Sequence, residues 1–146
     1  MEKFYSTKVI TLGSTAFRQP FADSHCRFIH GYNLTAKFYF QSDKLDSNNW
    51  VVDFGSLKKL KKSLEEHFDH KLIISQKDPH IDVFKNLHTL EIVDLIIMED
   101  VSIEMFASFC LYMANNHLVG SINSAECYKV EVYEHEKNSG IAELNY

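Results

Sequence analysis

The run from Leu34 to Gln41 constrains this chain most. Leu34, Ala36, Phe38 and Phe40 alternate there with Thr35, Lys37, Tyr39 and Gln41. A period of two describes a strand with one buried face. That face needs a cover, and the sequence supplies two helices for it. Leu57, Leu60, Leu64 and Phe68 recur every three or four residues, with Lys58, Lys59, Lys61, Lys62, Glu65 and Glu66 between them. The spacing predicts an amphipathic helix. Its lysines share a face with glutamates, so they read as a solvated surface rather than an anion site. Asp53, after the short apolar stretch Trp50-Val51-Val52, is placed to cap that helical segment. Ile103, Phe106, Phe109, Cys110 and Met113 predict a second helix, capped by Asp100 or Ser102, with an aromatic stripe that belongs to a core. Residues 71 to 90 read as a mixed connection holding Pro79, and Thr89 to Ile97 as β-prone. The segments Tyr128 to Glu134 and Ile141 to Tyr146 read as a hairpin turning at Asn138-Ser139-Gly140. Strands, helix, helix and strands in that order predict an α+β fold with antiparallel strands and helices on one face.

With 146 residues and neither an internal repeat nor a linker, the expectation is one domain over residues 1–146. An apolar share of 45% with 13% aromatics excludes a disordered or fibrous chain. Acidic residues outnumber basic ones by 20 to 15, which argues against a protein that grips nucleic acid through its phosphates. The apolar run from Ile92 to Met98 is broken by Asp94 and falls far short of the ~20 residues that cross a bilayer. The start, Met1-Glu2-Lys3-Phe4-Tyr5, does not have the pattern of a secretory signal. Cys26, Cys110 and Cys127 are too few and too irregular for a disulfide scaffold. The expectation is a cytoplasmic protein with free thiols.

Four places could carry chemistry. Tyr128, Val130 and Val132 share a strand face with Glu134, so a carboxylate projects from an apolar surface if the strand continues that far. A buried carboxylate needs donors, and two parallel N–H groups on a guanidine-like heterocycle would satisfy both oxygens. If the strand ends earlier, Glu134 is a solvated turn residue. Asp69-His70 comes directly after the first helix; an Asp can orient an imidazole as a proton relay needs, although such a pair at a helix end is commonly cap and surface. Cys26 lies beside His25 and Arg27, which favour a thiolate, a competent base; the alternative is a small buried hydrophobe. His25 and His30 are candidate metal ligands, but a catalytic zinc takes three protein groups, and no His-x-His is present.

Taken in order, these segments resemble the family of 6-pyruvoyltetrahydropterin and 6-carboxytetrahydropterin synthases. Cys26-Arg27-Phe28-Ile29-His30-Gly31-Tyr32-Asn33 is similar to its Cys-x-x-x-His-Gly-His-Asn, and Trp50-Val51-Val52-Asp53-Phe54 with Leu57-Lys58 to its Trp-x-x-Asp-Phe-x-x-Leu-Lys. Phe68-Asp69-His70 stands where the family has Leu-Asp-His, and Val101-Ser102-Ile103-Glu104 where it has Pro-Thr-x-Glu. Tyr128 to Glu134 is close to its Val-x-Val-x-Glu strand. The likeness spans roughly residues 10 to 146.

The resemblance implies a tunnelling fold: a four-stranded antiparallel sheet of two hairpins with two helices on one face, subunits joining their sheets into a barrel, as trimers or hexamers, with pterin sites between them. It implies a lyase acting on 7,8-dihydroneopterin triphosphate. By that resemblance Cys26 moves protons, supported by Asp69 and His70, Glu134 grips the pterin's guanidine-like edge, and Glu104 matches a further position at the pocket. The family's zinc is bound by three histidines. This chain has Phe17 in place of the first, keeps His30, and has Tyr32 in place of the third. Either His25, with Tyr32, substitutes as a ligand, or the site is metal-free and Arg18 supplies positive charge. A non-catalytic pterin- or purine-binding protein on the same fold is the alternative to a lyase. The product, a biopterin precursor or a carboxypterin for deazapurine synthesis, is left open.

Overall fold

A computed structural model describes residues 2–146. Nine elements succeed one another: β1 (Phe4–Phe17), β2 (His30–Ser42), α1 (Lys58–Phe68), β3 (Lys71–Ser75), α2 (Ile81–Thr89), β4 (Leu95–Met98), α3 (Ile103–Leu118), β5 (Glu126–His135) and β6 (Asn138–Glu143). They build one sheet in the order β4-β3-β1-β2-β5-β6. The expected pair of antiparallel hairpins, β1-β2 and β5-β6, forms its four adjacent strands up to the β6 edge, joined through β2 and β5. Two parallel strands, β3 and β4, extend it beyond β1. The residues expected to be a mixed connection therefore hold a strand and a helix, and the β-prone stretch yields strand only from Leu95.

One face of the sheet is apolar, and α1 and α3 cover it. Leu34, Ala36, Phe38 and Phe40 are fully buried against Leu60, Leu64 and Phe68 of α1 and Phe106 and Cys110 of α3. Burying each large side chain stabilises the fold by about 2 kcal/mol, so this layer fixes which face points inward. The Ser102 cap of α3 matches expectation, whereas Asp53 caps the 3-10 turn Phe54–Leu57 that leads into α1 rather than α1 itself. The Asp53 side chain accepts from Gly55 N at 2.9 Å, and Ser102 Oγ accepts from Met105 N at 3.0 Å. On the opposite face α2 covers only the added strands, where Leu72, Ile74 and Phe84 form a second small cluster.

Three bulges set which side chains face inward. In β1 the register shifts between Thr11 and Gly13, so the inward set changes from Ile10 and Leu12 to Thr15 and Phe17. In β5 it shifts where Phe40 pairs with Cys127 and Tyr39 with Lys129. Tyr128 is the extra residue. It packs on Tyr5 and Tyr39 of the outer face rather than sharing the face of Val130, which corrects the simple alternation read from the sequence. A third shift lies between Tyr133 and His135 and makes Glu134 the extra residue. The closing turn is Glu136-Lys137, two residues before the expected Asn138-Ser139-Gly140. Gly140 serves packing instead: a Cβ there would stand 3.0 Å from the backbone of Glu104.

Candidate active site

The C-terminal end of β1, the start of β2, the end of β5 and the start of α3 meet at one end of the sheet. Phe17 and His30 are direct cross-strand partners, and Tyr32 lies two residues beyond His30. All three side chains therefore stand on one face. Their ring centres are 4.7 Å (Phe17–His30), 5.7 Å (His30–Tyr32) and 6.2 Å (Phe17–Tyr32) apart. Phe17 is buried and meets Phe106 of α3 edge-on at 5.1 Å. His30 Nδ1 is 2.8 Å from the carbonyl oxygen of Phe28; donation to that oxygen leaves Nε2 with a free lone pair.

Cys26 is the middle residue of a 3-10 turn, His25–Arg27, in the loop joining β1 to β2. Ser24 Oγ accepts from Cys26 N, and the Cys26 carbonyl accepts from Gln19 N at 2.9 Å. The thiol is free and half-buried. Glu134 is half-buried at its bulge, so the strand does run past it. Nearby hydrogen bonds are made by Glu131 and His135. The Glu134 carboxylate takes part in none among the described residues. Burial first, then the charges of Glu134 and Cys26, push the Tyr32 phenol above its ordinary range. A thiol and a carboxylate separated by more than a hundred residues are thus within electrostatic range of one phenol. The ring of His135, which sequence reasoning passed over, adds to this end at 6.1 Å from Tyr32. Glu104 is exposed in the first turn of α3, its backbone packed on Gly140.

Asp69 and His70 lie elsewhere in the same chain. Asp69 Oδ1 accepts from Ser14 N at 3.0 Å and lies 3.0 Å from His70 Nδ1, and His70 N donates to Ser14 O at 2.7 Å. The Ser14 amide first, then His70, hold the Asp69 carboxyl below the usual range. The pair is thus in contact. The His70 imidazole is 84% exposed and faces a groove of about 740 Å³ that His88, Glu91 and Asp94 also line. That groove is on the outer side, with Ser14 and Ala16, whereas Phe17 and Tyr32 face inward. Three residues along β1 add about 10 Å. Within one protomer Asp69-His70 therefore opens on the side of β1 opposite Phe17 and Tyr32.

A three-histidine metal centre does not fit these residues. Phe17 offers carbon alone, and Tyr32 offers a phenol whose pKa burial first holds above its ordinary range. His25 is an exposed residue of its turn. Among the described residues no three His, Cys, Asp or Glu side chains gather as a metal would require. Arg18 is not a free positive charge either, a correction to the expectation that it stands in for the metal. Its Nε and second guanidine nitrogen donate to both oxygens of buried Asp78, at 2.7 and 2.9 Å, and its remaining nitrogen donates to the carbonyl of Arg27 at 3.1 Å. Burial raises the Asp78 carboxyl, but the Arg18 guanidinium and the His80 amide outweigh it and hold Asp78 low. Sequence reasoning also missed Gly13. A Cβ there would lie 2.2 Å from Asp69 Oδ1, and φ is +112°. A glycine inside a strand is the signal that such a close approach is needed.

Solved structures that include tetrahydropterin synthases share this architecture. A 6-pyruvoyltetrahydropterin synthase from Plasmodium vivax aligns over the whole of both chains, with a TM-score of 0.72 at 15% identity. The enzyme of that name from Caenorhabditis elegans gives 0.67 at 20%, covering 99% of this chain and 98% of its own. An uncharacterized protein from Wolinella succinogenes gives 0.85 at 17%, covering 99% and 100%. At these identities the likeness is one of fold. The chain belongs to the 6-pyruvoyl tetrahydropterin synthase family, whose model matches residues 11–144.

Among relatives, the 6-carboxy-5,6,7,8-tetrahydropterin synthase of Rickettsia conorii is 41% identical over 54 residues, which span 36% of this chain and 39% of that protein. The enzyme of the same name from Rickettsia bellii is 28% identical over 111 residues, 67% of this chain and 80% of its own. No helix among the described residues is long and apolar enough to cross a membrane.

Proposed function

We propose that this chain is a pterin lyase of the tetrahydropterin synthase type, acting on 7,8-dihydroneopterin triphosphate or a related dihydropterin. One observation carries the reading: Cys26 and the Glu134 carboxylate, which has no hydrogen-bond partner among the described residues, both lie within electrostatic range of Tyr32 at one end of the sheet. Glu134 accepts two parallel N–H bonds from the pterin's guanidine-like edge and fixes the ring. Cys26, as the thiolate, takes a proton from the substrate side chain. His70, its Nδ1–H held by Asp69, returns one. Glu104 lines the same end.

Because Asp69-His70 stands on the other face of its own chain, a neighbouring copy supplies it. This favours a homo-oligomer, a trimer or hexamer closing a barrel, in the cytoplasm. No step is assigned to zinc. A second reading is favoured by Phe17 and Tyr32, which replace two expected ligands: a metal-free pterin- or purine-binding protein without turnover.

Turnover of 7,8-dihydroneopterin triphosphate and binding of neopterin, monitored by its fluorescence, separate the two. The lyase reading expects turnover that Cys26→Ala abolishes while binding persists, and binding that Glu134→Ala abolishes. Binding without turnover leaves the second reading. Absence of both ends the pterin assignment.

A further inference from the structure

We propose that the Phe17–His30–Tyr32 cluster is a closed aromatic substitute for a metal centre, which holds no zinc in this chain while retaining the backbone frame of a three-ligand site. The frame arises from register. Phe17 and His30 are opposed across the β1-β2 ladder, and Tyr32 lies two residues along on the same face. Cross-strand partners bring their Cβ atoms to about 5 Å, and side chains two apart on a strand to about 7 Å. Three imidazoles on such a triangle would converge on one cation. Here they cannot. Phe17 is 1% exposed and is the last ring of a core series, edge-on to Phe106, which is in turn edge-on to Phe68 at 5.4 Å. The first ligand position has thereby been absorbed into the α1–α3 core.

His30 keeps the orientation of a ligating imidazole, with Nδ1 directed at the Phe28 carbonyl and Nε2 free. One such nitrogen is insufficient for tight zinc binding. What stands at the vertex is an imidazole nitrogen and a phenol hydroxyl. These hydrogen-bond a ligand oxygen but do not polarise it as a Lewis acid does. The inference rests on the register and the packing, not on the lyase reading, and is tested without an activity assay.

The experiment measures zinc per chain in protein purified with zinc present, and zinc affinity by competition with a chromophoric chelator. Wild type is expected to hold substoichiometric zinc and to lose to the chelator. Phe17→His/Tyr32→His is expected to take one zinc per chain and to unfold at a higher temperature with zinc than without; adding His30→Ala should abolish both. Tyr32→His alone, at a half-buried position that does not threaten the core, should bind with intermediate affinity. A wild-type chain that carries one zinc, lost in His30→Ala, overturns the closed-cluster claim. A folded double variant that takes no zinc overturns the retained frame.

Discussion

The pairing of Arg18 with Asp78 is open to a quantitative test. The Asp78 side chain has no exposed surface and that of Arg18 is 16% exposed. Removing one partner of a buried pair leaves the other charge without compensation, at a cost of about 3–5 kcal/mol; partial exposure of the arginine places Arg18→Met near the lower end, about 3 kcal/mol. With a urea slope of about 1.5 kcal/mol/M, the unfolding midpoint falls by about 2 M. The measurement needs a fixed protein concentration, because assembly shifts apparent stability. Arg18→Met/Asp78→Leu replaces the pair with apolar side chains and should recover most of the loss, so the two single costs do not add.

The pH dependence has a definite sign. In wild type the Asp78 carboxyl is held low, so the contribution of the pair is complete above the unfolded value near 3.9 and is lost as pH falls through the lower folded value. In Arg18→Met the stranded carboxyl moves up, so the deficit relative to wild type widens as pH rises and narrows in acid. Because Arg18 also holds the Arg27 carbonyl beside Cys26, the same variant should change the alkylation rate of Cys26. A cost below about 1 kcal/mol, or additive single costs, would refute the account of a buried, mutually dependent pair.

Two further outcomes rest on local geometry. Gly13→Ala places a methyl group within 2.2 Å of Asp69 Oδ1 at a φ of +112°, so it should destabilise the fold by about 2 kcal/mol or more in urea and displace Asp69 from the Ser14 amide. His67 is stacked on Phe109 at 4.0 Å, and burial, then Lys71, lowers its pKa. The unfolded chain then takes up that proton first, so stability falls as pH drops below about 6.5 towards the folded value. His67→Phe should flatten that slope in a stability–pH series; an unchanged slope would contradict the burial argument.

The two long helices and the central strand are legible in the sequence because their periods are uninterrupted and their caps are ordinary. Leu60, Leu64 and Phe68 have no competing explanation once a helix is assumed. β1 is not legible, since the bulge at Gly13 exchanges its inward set midway and erases the alternation over its length. Strict alternation puts Tyr128 on the wrong face for the same reason. β3 is five residues, four of them buried, so it has no polar beat to distinguish it from a connecting apolar run. At the site, Cys26 and Glu134 are legible as residue types. Their approach to the end of the sheet where Tyr32 stands depends on turns and a bulge that no single segment encodes. The Arg18–Asp78 pair spans sixty residues and leaves no local pattern beyond a lone acid before Pro79.

The sheet has two unlike margins. β3 bonds to β1 only along Thr15 to Phe17, so the earlier length of that long strand keeps a row of amide and carbonyl groups without a strand among the described residues, and β6 ends the other side in the same condition. Where two such borders complement one another, copies add head to tail, and geometry alone decides the result. If each addition rotates by a whole fraction of a circle, the borders annihilate one another in a ring. If it does not, they template an endless ribbon. If copies of the chain join at these borders, the curl of the sheet, and with it the three bulges that bend it, governs whether they make a finite particle or a fibre.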